Sequence, residues 1–225
     1  MFERQENRVN LRLERASDRG LDWSQQQWTS HHYLHAPIDS RCSVLAYVVK
    51  LDGLAVGALG FGRPESTRCY QGGLTYGSLD DVKDGRARYS RWEVVNLARV
   101  WLDPRIQRGG AWYAPNAATW AIGEALRHIV VDYLVRFPPC FLDEPWKLRS
   151  CLSYCDRRLH QGTIYRAAGF VLVRTNDDGI ETWARSLRGL QGHERQQIEK
   201  ISDQHPRSRR YRAQRAAQAT QEQLL

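Results

Sequence analysis

A chain of 225 residues, 42% hydrophobic and 26% charged, has a globular balance. It is long enough for one domain with a sizeable core, or one domain and a tail, which excludes disorder along the whole chain. No apolar run approaches the roughly 18–20 residues that cross a bilayer, and the charged start lacks the apolar stretch of a signal peptide, so a soluble, cytoplasmic protein with no membrane partner is expected. The 33 basic residues outnumber the 25 acidic ones for a net charge of +8. All but Lys50, Lys83, Lys147 and Lys200 of the basic set are arginines, whose planar fork matches phosphate oxygens. An arginine-rich codon bias would produce the same composition without any partner. The five cysteines, Cys42, Cys69, Cys140, Cys151 and Cys155, are scattered with no Cys-x-x-Cys pair, which signals neither a disulfide framework nor a zinc finger.

Residues 1–35 read as a polar, helical entry: Leu11 and Leu13 sit among charges, and Trp23, Trp28 and the run Ser30-His31-His32-Tyr33-Leu34-His35 lead to Pro37. Two apolar runs around Asp52-Gly53 then predict a hairpin, about 44–50 and 54–62, with glycine supplying the positive φ of a tight turn. Residues 63–90 are rich in Gly, Asp, Arg and Ser and read as a loop or a functional insertion. The stretch 92–102 is a buried strand by its β-branched and aromatic content. A glycine-bearing loop follows, and after Pro115 the spacing of Ile122, Leu126, Ile129, Val130, Tyr133 and Phe137 predicts a long helix ended by Pro138-Pro139. A strand at about 150–154 and a short helix at 162–168, closed by Gly169, come next. Residues 170–174 and 181–185 flank Asn176-Asp177-Asp178-Gly179 as a second hairpin. The expected division is a single domain over 1–190, with an entry at 1–42 and a core at 43–185, and a basic polar tail, helical or disordered, at 191–225.

The order hairpin, buried strand, loop, long helix, strand, short helix ending Tyr165-Arg166-Ala167-Ala168-Gly169-Phe170, strand resembles the GCN5-related N-acetyltransferase superfamily over about residues 43–185. The resemblance implies a mixed, mostly antiparallel α/β sheet with flanking helices and a V-shaped splay between the fourth and fifth strands. It also implies acetyl-CoA or a related acyl donor in the splay, with its pyrophosphate on the amides that open the following helix, where unpaired N–H groups and the helix dipole bind anions. The superfamily's phosphate loop usually reads Gln/Arg-x-x-Gly-x-Gly/Ala directly before the helix. Here Gln107-Arg108-Gly109-Gly110-Ala111-Trp112 is out of register and several residues from Asn116.

Four further segments resemble a narrower group, the Mom family of phage DNA modification proteins: His32-Tyr33 after a tryptophan-bearing helix, Asn96-Leu97-Ala98-Arg99, Tyr113-Ala114-Pro115-Asn116, and Ser153-Tyr154-Cys155-Asp156 followed by His160-x-Gly162-Thr163-Ile164-Tyr165. That resemblance implies conversion of adenine in double-stranded DNA to N6-carbamoylmethyl-adenine, which blocks restriction. On this reading Asp156 is a general base or orients the amine, with a helix N-cap as the alternative, and Tyr165 is an acid or hydrogen-bond donor. His32 and Tyr33 line the substrate pocket, Ser153 binds substrate or phosphate, and His160 pairs with Asp156 or caps a loop. The cofactor phosphate seat is Arg105, Arg108, Gly109, Gly110, Asn116 and Thr119. DNA contacts fall to Arg99, to Trp112 and Trp146 as stacking rings, and to Arg207, Arg209, Arg210, Arg212 and Arg215. For a divalent metal, His31 and His35 are the candidates, four apart and hence on one helix face. An ordinary N-acetyltransferase acting on a small amine or protein, and a non-catalytic nucleic-acid-binding module, stay open beside this reading, as does the oligomeric state, a homodimer included.

Overall fold

The computed structural model describes residues 10–64, 69, 75–137, 147–204 and 213. The entry is not wholly helical. Leu11 and Leu13 alternate with polar residues, which is a strand period, and β1 (Leu11–Arg15) pairs antiparallel along the edge of β2 (Leu45–Leu51). Helix α1 (Asp18–His31) follows, its N-cap Ser17 accepting from the Gly20 amide. The turn between β2 and β3 (Leu54–Gly62) takes positive φ at Asp52 and Gly53, as the dipeptide predicts.

Within 63–90, the described residues form β4 (Tyr76–Gly77), α2 (Leu79–Lys83) and β5 (Tyr89–Ser90), and the two strands make a small parallel pair. Then come β6 (Val94–Leu102), α3 (Ala117–Arg136), β7 (Ser150–Asp156), α4 (Thr163–Ala167), the hairpin β8 (Val171–Thr175) and β9 (Ile180–Ser186), and α5 (Gly192–Gln204). The last helix lies at the start of the expected tail. Residues 192–204 are helical, and Ile198 is buried in the main core. Trp146, Arg207, Arg209, Arg210, Arg212 and Arg215 lie outside the described residues.

The main sheet has the order β1-β2-β3-β6-β7-β9-β8, and every neighbouring pair in it is antiparallel except β6 and β7. This is the mixed, mostly antiparallel architecture expected from the sequence. One face packs on α3, whose Ala121, Ile122, Ala125, Leu126, Ile129, Val130 and Tyr133 are buried against Val49, Leu59, Phe61 and Val95. The other face packs on α1 through Trp28, which is fully buried with Ile38, Val44, Ala46 and Ala58. Trp28 lies flat on β3 because Gly60 has no side chain there: a Cβ would come within 2.6 Å of the indole. No described helix is long and apolar enough to cross a membrane.

Candidate active site

The parallel ladder between β6 and β7 is short. Only Val94, Val95 and Asn96 pair with Ser150, Cys151 and Leu152, although β6 continues to Leu102 and β7 to Asp156. A buried carbonyl at the point of parting needs a donor. The Ser153 hydroxyl supplies it, donating to the Leu97 carbonyl at 2.8 Å. Ser153 is thereby a wedge that ends the ladder and holds the splay open.

The splay contains a cavity of about 400 Å³. The end of α1 contributes His31, His32 and Tyr33; β6 contributes Ala98, Val100, Trp101 and Leu102; Gln107 stands on the following turn. Tyr154 and Cys155 of β7, then His160, Gln161, Gly162, Thr163, Ile164 and Tyr165, close the far side. The structure thus places His32, Tyr33 and Tyr165 on one cavity, although they lie some 130 residues apart in the chain. Their rings are packed: His32 and Tyr33 have centroids 4.4 Å apart, Tyr33 meets His160 edge-on at 5.3 Å, and Tyr165 stacks on Trp183 at 6.2 Å. Gly162, with φ of +66°, permits that last approach, since a Cβ would fall 2.5 Å from the Trp183 ring.

Burial sets the protonation of these groups. It is the largest cause lowering His32 to about 4, with the Arg99 charge and then His160 and His35 adding to it. The ring is therefore neutral at pH 7. Burial also pushes the Tyr165 phenol up to about 12, against the opposing influence of a Ser153 hydrogen bond, and raises Tyr33 and the Cys155 thiol. Both phenols stay protonated, as donors. The Cys155 thiol points its hydrogen at the His160 carbonyl, 3.7 Å away, and is no thiolate nucleophile.

Other expected site residues are placed elsewhere. Both carboxylate oxygens of Asp156 are held by Arg158, at 2.9 Å from Nε and 2.7 Å from Nη2, and the Arg158 amide adds a third bond at 2.9 Å. Arg158 lowers the acid to about 2, and Asp156 is not among the residues lining the cavity. A carboxylate so occupied is a weak proton acceptor; it shapes the turn, whose Leu159 and His160 amides donate to its carbonyl.

Arg99 donates to the carbonyls of Ala36 and Ala98, strapping the segment after α1 to β6. Trp112 is half-buried on the main core, and the Arg105 guanidinium covers its ring at 4.1 Å, away from the cavity. His31 and His35 share no helix face, because α1 ends at His31. His31 stacks on Trp101 at 5.4 Å, while His35 takes φ of +45° beyond the helix. No group of three or more His, Cys, Asp or Glu placed to hold a metal ion occurs among the described residues.

The phosphate seat also differs from expectation. Arg105 is clamped on Asp103 by paired bonds, and Gly110 is pressed against the Arg105 backbone. The amides of Gly110, Trp112 and Ala114 donate to Gln107, Arg105 and Ile106 within the loop, so they do not form an anion cradle. Gly109 shapes the turn at φ of +86°, and Arg108 is exposed. What remains for a phosphate is the first turn of α3, where Asn116 makes no side-chain cap and Thr119 stands. The edge of β6 beyond Asn96, which β7 does not pair, suits the extended amide arm of an acyl-CoA. The residues therefore fit the arm of such a donor, with the loop itself adding no amides for its phosphates.

Among the cavity residues not read from the sequence as substrate-pocket residues are Trp101 and Gln107. Trp101 was hidden by a β-bulge: Gly60 and Phe61 pair with Arg99 and Leu97, so Ala98 is an extra residue and the side-chain alternation flips after it. Gln107 lay inside a motif read as a phosphate loop.

No protein-family model matches the chain, and no curated protein does. Among solved structures, it is similar to an IAA acetyltransferase from Bacillus cereus (12% identity, TM-score 0.42, 79% of this chain and 100% of that one). An aminoglycoside acetyltransferase in complex with coenzyme A and kanamycin matches at 14% identity and a TM-score of 0.45, over 79% of this chain and 95% of that one. A PaiA N-acetyltransferase from Thermoplasma acidophilum in complex with coenzyme A matches at 12% identity and a TM-score of 0.44, over 79% of this chain and 99% of that one.

Proposed function

We propose that this protein is an acyl-CoA-dependent transferase of the GCN5-related type that acts on double-stranded DNA as the Mom family does, adding a carbamoylmethyl group to adenine N6. The observation that carries this reading is the chemistry of the cavity: among the described residues lining it there is no Asp, Glu, Lys or Arg, while Trp101, Tyr33, Tyr165 and three imidazoles surround it. A cationic amine needs a carboxylate to leave water. A flat, neutral heterocycle needs ring faces and a few hydrogen bonds, which is what this lining offers, and a base whose amine is to react within a pocket must leave the duplex stack.

A bound acyl thioester would supply a two-carbon unit activated at its carbonyl, whereas the carbamoylmethyl product joins N6 to the methylene carbon, so the reaction also requires a leaving group or an oxidant for that carbon and a source of the amide nitrogen. The chain's own residues position the base and move its protons. Tyr33 and Trp101 hold the base plane, and excluding water favours the poorly nucleophilic amine. The protonated phenol of Tyr165 donates to the departing group, and His160, at the mouth, takes the proton shed by the amine.

The test is mass analysis of nucleosides from a bacterial host making the protein. The expected result is deoxyadenosine heavier by the carbamoylmethyl increment, in DNA that resists enzymes whose sites contain adenine. Unmodified nucleosides beside soluble protein would overturn the reading. An acetylated metabolite or protein would put the ordinary N-acetyltransferase in its place, and DNA binding without any product would favour the non-catalytic module.

A further inference from the structure

Two polar side chains of the cavity have their polarity fixed by the backbone. The Leu34 amide donates to His32 Nδ1 at 3.2 Å, which requires that nitrogen to be unprotonated and leaves Nε2–H as the ring's donor. Gln107 Nε2 donates to the Leu102 carbonyl at 2.8 Å, which fixes the orientation of the amide and leaves Oε1 as an acceptor. A histidine usually presents either sign by changing tautomer, and a glutamine by flipping. Here both choices are closed, and both residues line the one cavity.

We propose that this pair selects a heterocycle with an exocyclic amine beside an accepting ring nitrogen and rejects its oxo counterpart, His32 Nε2–H donating to the ring nitrogen and Gln107 Oε1 accepting from the amine. The inference rests on the reading that the site takes a base, and adds how it chooses one. A 6-aminopurine presents an N6–H donor and the N1 acceptor. A 6-oxopurine presents an O6 acceptor and an N1–H donor, so acceptor meets acceptor at Gln107 and donor meets donor at His32. Mismatched polar groups that have lost water cost more than a made hydrogen bond contributes, and sites built to bond a polar group discriminate strongly on that ground. The Gln107 bond also has a chemical consequence: accepting one N6 hydrogen enriches the amine nitrogen in electron density and leaves its other hydrogen toward the reacting side.

The experiment measures dissociation constants of adenosine and of inosine by equilibrium dialysis for the full chain, Gln107→Met and His32→Asn. Methionine matches glutamine in length without its amide, and Gln107 is exposed on a turn, so this replacement leaves the core intact. Asparagine at 32 can still accept from the Leu34 amide but offers no donor where Nε2 stands. The wild type should bind adenosine about tenfold more tightly than inosine, the discrimination expected of a mismatched polar pair, and each variant should bring the ratio toward one with the melting temperature of Gln107→Met unchanged. Wild-type protein that binds neither nucleoside, or both alike, overturns the proposal, as does a Gln107→Met protein that keeps the full preference. If His32→Asn does not fold, Gln107→Met decides alone. A preference for adenosine without any adduct in DNA would leave this selectivity standing and remove the proposed reaction; an adduct formed by a protein that binds both nucleosides alike would do the reverse.

Discussion

His32 stays uncharged in the cavity because burial and the neighbouring Arg99 both oppose its protonation. Its folded value, about 4, lies below the 6.5 of an exposed ring, so between these values the unfolded chain binds the extra proton. The contribution to stability is complete above pH 6.5 and is lost as pH falls toward 4. Denaturant midpoints measured from pH 4 to 7 should climb with pH, and His32→Asn should flatten the climb. Asp156 and Glu194, each held at about 2 by an arginine, act in a separate window, losing their contribution only as pH falls from about 4 toward 2. The two candidate catalytic substitutions should also separate. Tyr165→Phe removes a donor inside the cavity and should lower the modification rate by about 10²-fold or more, with little change in melting temperature. Asp156→Asn loosens the Arg158 pair outside the cavity and should lower the melting temperature while retaining more than a tenth of the rate. A dead but fully stable Asp156→Asn protein would restore the carboxylate to the chemistry.

At the scale of elements, two close approaches hold the cavity walls. The end of α1 carries His31, His32 and Tyr33, and α1 is fastened to β3 by Trp28, whose indole N–H donates to the Ala58 carbonyl at 3.3 Å. Trp28→Ala should cost about 3–5 kcal/mol of unfolding free energy, the range for deleting a buried large aromatic. On the opposite wall, Gly162 lets the turn before α4 lie on Trp183, so that Tyr165 faces the splay. Gly162→Ala combines a left-handed backbone with a clash against an indole. Overpacking of this kind costs about 1–3 kcal/mol, and because the turn carries Tyr165, the rate should fall further than the stability loss explains. Calorimetry and a rate measurement at a temperature where both proteins are folded separate the two effects. The short α4, only Thr163–Ala167, depends on this packing; five residues are too few to be helical alone.

For the whole molecule, the proposed reaction on DNA assigns different tasks to the excess of positive charge and to the cavity. On that reading phosphate contacts fix position and carry no base information, and selection falls to the cavity, whose described lining is uncharged. The arginines from Arg207 to Arg215 follow the docked helix α5. Truncation after Gln204 should leave the melting temperature unchanged, since Ile198 and the packing of α5 on α3 are retained. DNA affinity should weaken for all sequences alike, and the plot of log affinity against log salt should flatten by roughly 0.9 for each duplex phosphate that the tail no longer neutralises. Superimposable salt slopes for the full and truncated chains would mark the arginine excess as compositional.

The features that the amino-acid sequence decides alone are those whose signals are local. The β2–β3 hairpin follows from Asp52-Gly53, α3 from apolar spacing of three and four, and the β8–β9 hairpin from Asn176 to Gly179. The entry strand was misread, because β1 has only two leucines to show its period, and the segment of α5 stayed open between helix and disorder, because it buries little besides Ile198. At the site, His32, Tyr33 and Tyr165 were expected from the family resemblance, and all three line the cavity. The roles of Asp156, Arg99 and Trp112 were not legible. Whether a carboxylate faces a pocket or folds back on an arginine two residues along, or whether a tryptophan is covered by a nearby guanidinium, depends on side-chain directions that spacing does not encode. Only the tertiary structure placed Trp101 and Gln107, the first because a bulge at Ala98 reverses the alternation of β6, the second because its amide is oriented by a backbone carbonyl. The splay itself arises the same way: β6 and β7 part where one serine hydroxyl replaces a strand, a relation between segments more than fifty residues apart.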